Sequence, residues 1–557
     1  MKSIIKDIII VGGGAIGWVT ASALKKRHPD LNITLIESDK IPPIGVGESL
    51  VPPFKDLLDW IGLEENEWLK ATHGIHKFGN HFVGWNTEKP MTQVTDHWNA
   101  DKKDFHFYTF SYTPRSDVLK KSYLNGINSD DYYYDNNGSF GVDSKLHDYW
   151  LYMVNKGLFK PEDTDSYTTD SYHLAMTNKA ARWNKDDYIV GHDYPYAWHM
   201  DAERFPKLVR DKIAIPLGVN WINDHVVDIL KDQDGYVDKL ILEKKGEVTA
   251  DLFIDCSGFH RLIMKTMDVE WEPITQQPTQ SAWVAPIKYN DPHKEMKPYT
   301  QSYAVKSGWN FIITLYSRMG SGYVFDSESE DPDKAREDFI KYWDGYEFIR
   351  DPRLIQWEQG CYKSLWEKNV IGIGMAQGFI DPMEANIIFM AQTSLQLIDA
   401  SLKKYKQRVI PQITKKSFSR EIHRVRDQID DFIAFHFGLS KRRDTPFWQK
   451  WGEYGLQCNQ PIRNWNEYKR SNNYLGRSFF IDTQYADQQM YLDQEIDLSS
   501  LDIDPNLLPL AKLDYEYRQK KNQEIAKLAP NVYDWSKQYL HDGATSDEIL
   551  QQALAER

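Results

Sequence analysis

An α/β fold, with a dinucleotide-binding module joined to a second module of mixed sheet and helices, is predicted by three features of the sequence. Gly12-x-Gly14-x-x-Gly17 stands between an apolar run at 4–11 and a helical pattern at 15–26. A second apolar run at 33–37 ends in Glu37, twenty residues past the last glycine. A later run, Ala250 to Asp255, enters the turn Cys256-Ser257-Gly258 as a strand that rejoins the first sheet. Strand, glycine turn, helix and parallel strand in that order define a Rossmann-like βαβ opening.

Each element has a physical reason. Residues 4–11 are nearly continuous in isoleucine, as a strand buried on both faces requires. The helix pattern from Ala15 closes at His28-Pro29, where proline stops helix propagation. Gly12 allows the tight turn, Gly14 lets a pyrophosphate approach the backbone, Gly17 lets helix pack on strand, and the helix start at Ala15 attracts the anion. Glu37 is suited to accept hydrogen bonds from ribose hydroxyls and to repel the extra phosphate of NADP, which leaves FAD or NAD. Residues 276–330 alternate as antiparallel sheet does, Val370 to Gly374 form a short buried strand, and Ala385 to Lys404 a long helix. Residues 91–200, with Tyr132-Tyr133-Tyr134 and many Asp and Asn, show little periodicity and read as an insertion. The chain beyond the 385–404 helix is mainly helical and polar.

Composition narrows the function. A formal charge of -14, from 67 basic and 81 acidic residues, repels phosphate backbones and anionic lipid, so neither nucleic acid nor a membrane surface is an expected partner. Cys256, Cys361 and Cys458 lack metal or redox spacing and fit a reducing cytoplasm; no metal site is expected. Lys2, the uncharged run from Ile8 to Leu24 and Ala21-Ser22-Ala23 imitate a signal peptide, but four glycines break any apolar helix there. No segment has the roughly 18 consecutive apolar residues that span a bilayer.

The glycine loop with Trp18, Val46-Gly47-Glu48-Ser49, and Lys77-Phe78-Gly79 followed by Phe82, Gly84 and Trp85 occur in that order. Tyr196-Ala197-Trp198-His199-Met200-Asp201-Ala202, Asp255-Cys256-Ser257-Gly258-Phe259 and Gly308-Trp309 leading to Arg318 and Gly322-Tyr323-Val324 follow. Gly378-Phe379-Ile380-Asp381-Pro382-Met383-Glu384 and Arg443-Asp444-Thr445-Pro446-Phe447-Trp448 complete the set. Together, from residue 4 to about 450, they resemble the flavin-dependent halogenases of the tryptophan-halogenase family.

The resemblance implies a Rossmann-like FAD module of the GR2 monooxygenase type and a separate substrate module. On this basis 1–90, 196–275 and 366–420 are assigned to the FAD module, 91–195 and 276–365 to the substrate side, and 421–557 to a helical C-terminal region. It implies FAD, used as FADH2 from a separate flavin reductase, with halide and O2 as co-substrates and a small aromatic substrate. Hypohalous acid reaches the substrate through a lysine matched by Lys77, and a carboxylate matched by Glu384 assists at the ring. Halide rests against the amides of Asn386 and Ile387, as an anion at a helix start should. Gly12, Gly14, Ala15, Gly17, Glu37, Gly47, Glu48, Ser49, Gly374 and Gly378 are the expected cofactor residues, and a homodimer is compatible with the family.

Read alone, Lys77 begins an alternating stretch, 77–85, in which Lys77, Gly79, His81, Val83 and Trp85 share a face. An isolated lysine is more often a solvated surface group, and Glu384 alone reads equally as a carboxylate favoured at a helix start. Two departures from the family stand out. Its Gly-Trp-x-Trp-x-Ile-Pro motif, which walls the substrate off from the flavin, is here Gly308-Trp309-Asn310-Phe311-Ile312-Ile313-Thr314. Its Glu-Ser-Thr run is Glu384-Ala385-Asn386, which removes a hydroxyl beside the halide. Loss of the hydroxyl and a looser wall favour bromide or iodide, which are less strongly hydrated than chloride. The alternatives are a flavin monooxygenase that hydroxylates an aromatic substrate, and a flavoprotein redox sensor without turnover.

Overall fold

The structure, a computed structural model, describes residues 4–41, 46–87, 90–109, 144–189, 196–405, 409–457 and 503–556. Tyr132 to Tyr134 and Cys458 lie outside the described residues. The chain falls into two compact units. One comprises 1–74, 200–280 and 355–427, the other 75–199, 281–354 and 428–557.

The first unit is organised by the opening elements. Strand β1 (Asp7–Val11) pairs in parallel with β2 (Asn32–Glu37) and with the returning strand Leu252–Asp255. Helix α1 (Ala15–Arg27) links β1 to β2. The sheet runs Trp366–Glu367, Val370–Gly372, Leu252–Asp255, β1, β2, Asn220–Asn223. Its central strands are apolar on both faces, with Ile8, Ile9, Ile10, Leu252, Phe253 and Ile254 all buried. That explains why their sequences run continuously apolar rather than alternating. Apart from the edge strand Trp366–Glu367, which runs antiparallel, the strands are parallel and point their carboxyl ends toward the glycine turn, where an α/β sheet binds ligands.

The second unit is built on a larger sheet. Ser281–Ile287, Met319–Phe325, Gly308–Thr314 and Thr300–Val305 lie side by side in antiparallel pairs. Gly79–Val83 then pairs in parallel with Thr300–Val305 and antiparallel with Phe105–Thr109. One face covers a cluster that includes Val83, Tyr303, Ile312, Met319, Tyr323, Phe325 and Phe339. A smaller cluster joins Trp150 and Met153 of helix Ser144–Asn155 to Ala511 and Tyr515 of helix Leu508–Leu528. Among the described residues no helix is long and apolar enough to cross a membrane.

Candidate active site

The glycine loop in the first unit shows which glycines the protein itself demands. Gly12 has φ +117°, and any side chain there would run into the carbonyl of Cys256. A side chain at Gly17 would strike the carbonyl of Gly12. Gly14 is different: its backbone is extended at φ -73°, and nothing lies within 4 Å of where its Cβ would stand. No protein contact requires a glycine at 14, so the space it leaves open suits a ligand. Helix α1 begins at the next residue, Ala15, with no side-chain cap and no acidic residue in its first turn. Its open amides and positive dipole end favour an anion there. The residues present therefore fit the pyrophosphate of FAD. Gly14→Val should fold yet retain less than about one tenth of the wild-type FAD after purification, because the branched side chain fills that opening. Wild-type flavin content in this variant, read from its absorbance spectrum, would mean that the loop serves another purpose.

Glu37, at the end of β2, leans back over the loop, where a side chain at Gly13 would collide with its carboxylate. Its Oε2 accepts from Trp18 Nε1 at 3.2 Å, and its Oε1 lies 3.5 Å from Arg210 Nη1. Both partners hold the carboxylate over the glycine loop, where it would be suited to accept from the ribose hydroxyls of a bound dinucleotide. Arg210 was not foreseen from sequence. It opens a π-helical turn, Arg210–Ala214, and stacks 4.5 Å above the ring of Trp221. Only the pairing of β2 with Asn220–Asn223, with Leu35 opposite Trp221, brings it there, and no local spacing announces that.

The other expected cofactor residues divide. Gly374, at φ +65°, sits against Ile16 of α1 and so adjoins the glycine loop. Gly378 has a structural reason to be glycine, since a side chain would press on Gly360 and Cys361. Gly47 takes φ +116° ahead of the short strand Glu48–Ser49. Glu48 keeps some solvent access as a residue, but its carboxyl is closely surrounded, and desolvation pushes its pKa up to about 7.

Glu384 closes a 3-10 turn, Pro382–Glu384, and is 3% exposed. The turn is fixed by Asp381, which accepts from the Met383 amide at 3.0 Å and from the Thr279 hydroxyl. Ala385 then adopts a left-handed conformation, φ 52°, and helix Asn386–Lys404 begins. The Asn386 side chain donates to the Asp381 carbonyl at 3.0 Å. Glu384 is thus a buried carboxylate ahead of the helix rather than a solvated one on its first turn. The amides of Asn386 and Ile387 occupy the start of a 19-residue helix, where an anion is favoured.

In the second unit Lys77 ends the strand Ile75–Lys77, which pairs antiparallel with Ala197–His199, and it is fully buried. The sequence expectation of one continuous strand from 77 to 85 needs correcting. The Phe78 amide bonds the Pro298 carbonyl at 2.7 Å, and the chain then joins the larger sheet at Gly79. Lys77 therefore belongs to a different sheet from His81 and Val83. Opposite Ile75, His199 donates through Nδ1 to the Thr314 carbonyl at 3.0 Å and meets the Thr300 hydroxyl at Nε2, 2.9 Å. Burial, and then the charge of Lys77, hold its pKa down to about 3, so the imidazole is neutral.

Trp309 is 1% exposed and Phe311 half-buried, with ring centroids 6.0 Å apart. Phe311 stands opposite Gly322, where any side chain would run into its ring. Thr314, in place of the family's proline, donates to the Lys297 carbonyl at 2.5 Å. Among the described residues no group of His, Cys, Asp or Glu could hold a metal ion.

The tryptophan halogenase family model matches residues 7–485. Tryptophan 6-halogenase ThaL of Streptomyces albogriseolus is 26% identical, over 97% of this chain and 99% of the relative. A tryptophan halogenase structure from Shewanella frigidimarina superposes with a TM-score of 0.79 at 24% identity, over 98% of this chain and 99% of the other. Xcc4156, a flavin-dependent halogenase from Xanthomonas campestris, gives a TM-score of 0.77 at 22% identity, over 96% and 98% of the two chains. At these identities the two structures speak for the fold. The chain belongs to the tryptophan halogenase family. It is a flavin-dependent halogenase, an oxidoreductase, with FAD as its cofactor and an aromatic substrate class.

Proposed function

We propose that the protein makes hypohalous acid and passes it to an electron-rich indole-, phenol- or pyrrole-like substrate through Lys77, with bromide or iodide preferred. The observation that carries this reading is Lys77 itself, a lysine with no solvent exposure beside a neutral histidine. A buried amine that has no structural need to face water is suited to hold a reactive oxidant by hydrogen bond, or to carry its halogen. Bound as FADH2, the cofactor supplies the two electrons that, with O2, halide and a proton, yield hypohalous acid, water and FAD. Gly14, Ala15 and Glu37 hold it, Trp309 and Phe311 wall the substrate from it, and the amides of Asn386 and Ile387 hold the halide. Glu384 stabilises the cationic ring and takes its proton. A separate reductase supplies the reduced flavin. The first unit serves the flavin and the second the substrate.

The halide preference follows from Ala385. Without the family's serine hydroxyl, a chlorinating site has fewer donors to replace the water chloride loses, and bromide and iodide lose less. Competition at equal chloride and bromide should give mostly brominated product, by a wider margin than in a relative that keeps the serine. Ala385→Ser should move the ratio back toward chloride. Predominant chlorination by the wild type would remove the halide argument while leaving halogenation intact.

A further inference from the structure

Three polar groups of the second unit stay unused close to Lys77. His81 is 6% exposed, yet neither ring nitrogen has a hydrogen-bond partner. It is enclosed by the rings of Phe105, Tyr299, Tyr303 and Phe107, at 4.8, 5.0, 5.9 and 6.4 Å. A buried donor and acceptor left without hydrogen bonds are costly, so such a ring is expected to meet something polar. Lys297 is half-buried, and its ammonium has no hydrogen bond or ion pair with any described residue. Burial draws its pKa down to about 8, only partly opposed by the charge of Glu295. The Tyr299 hydroxyl likewise bonds no described residue.

Nearby carboxylates are already committed. Glu295 accepts from the Asn290 and Asp291 amides and the Tyr346 hydroxyl. Asp165 holds His106 at 3.2 Å and the Phe107 amide at 2.8 Å. The segment that carries Lys297 and Tyr299 is tied to the Lys77 strand by the bond from the Phe78 amide to the Pro298 carbonyl. It is tied again by Thr314, which bonds the Lys297 carbonyl and accepts from His199.

We propose that Lys297, with His81 and Tyr299, anchors an aromatic substrate that bears one carboxylate and no ammonium group. Among the described residues the Lys297 ammonium has no counter-charge bonded to it, and one such cation matches one negative charge. A substrate ammonium would find no carboxylate free to receive it among these described groups, since Glu295 and Asp165 are taken. A carboxylate arriving from outside supplies the counter-charge whose lack makes a half-buried amine unfavourable. The inference rests on Lys77 as the group that meets the substrate, since the segment that carries Lys297 and Tyr299 is joined to the Lys77 strand.

Equilibrium binding to the FAD-loaded protein, measured by calorimetry, tests this with indole-3-propionate, 3-methylindole, L-tryptophan and tryptamine. A phenol series, 3-(4-hydroxyphenyl)propionate against 4-ethylphenol, runs in parallel. In at least one series the acid should bind tenfold or more tightly than its neutral partner, and indole-3-propionate more tightly than tryptophan if the indole series responds. Lys297→Met should shrink the gap to within about twofold, while Lys297→Arg keeps most of it, so that a fault in folding is told apart from loss of the charge. No preference for either acid, whether all ligands bind equally or none binds, overturns the proposal, as does a gap that persists in Lys297→Met. Halogenation of the same compounds with FADH2 is scored separately, so that failure of the anchor and failure of the halogenase reading give different results.

Discussion

Lys77→Ala is expected to keep FAD and to consume O2 when given reduced flavin, yet to form halogenated product on the order of 10³-fold more slowly, or not at all. On the proposed route the amine acts after the oxidant is made, so flavin chemistry and product formation should separate. Loss of one preorganised donor in a water-excluded site costs roughly 10²–10³-fold in known cases, and the proposed route makes Lys77 the carrier as well. His199 keeps both of its own hydrogen bonds, to Thr314 and Thr300, without the lysine. The assay needs a scavenger for free hypohalous acid. Full halogenation by the variant in its presence would take Lys77 out of the mechanism.

Glu384→Gln should slow halogenation by roughly 10²–10⁴-fold, the range for losing a placed acid or base, with flavin retained. Glutamine keeps the shape and hydrogen-bonding capacity of the 3-10 turn, while Asp381, Thr279 and Asn386 still fix its geometry. A residue that served only the helix dipole would matter far less, by about 1 kcal/mol. Single-turnover rates with preformed FADH2 distinguish the two, and a loss of tenfold or less would assign Glu384 to the helix start.

The parts of the fold legible in the sequence are those where a local pattern and a long-range contact agree. The run at 4–11 begins its strand at Asp7, because Ile4 remains exposed. The helix expected at 385–404 starts one residue later, at Asn386, since Ala385 turns left-handed. The alternation of 276–330 became three antiparallel strands and one, Thr300–Val305, that also accepts Gly79–Val83 in parallel. That parallel pairing joins residues more than two hundred positions apart and leaves no local signature. The break at Phe78 was hidden for the same reason, because the Pro298 carbonyl that captures its amide lies far along the chain. Phe105–Thr109 escaped notice because it is five residues long, lies in the stretch 91–200 with little overall periodicity, and is defined by its pairing with the distant Gly79–Val83. In the candidate site, glycine spacing located the strand-to-helix turn that fits a pyrophosphate, but Arg210 beside Glu37 and the Lys297–His81 group depend on tertiary packing alone.

The most direct test of the central claim is mass spectrometry of the products from an aromatic panel, with FAD, a flavin reductase, NADH and one halide at a time. Ring-substituted products bearing the isotope pattern of the halide supplied, and absent when halide or reductase is omitted, are the predicted result. The same hydroxylated product with and without halide, or oxygen uptake with no change in any aromatic, would contradict it.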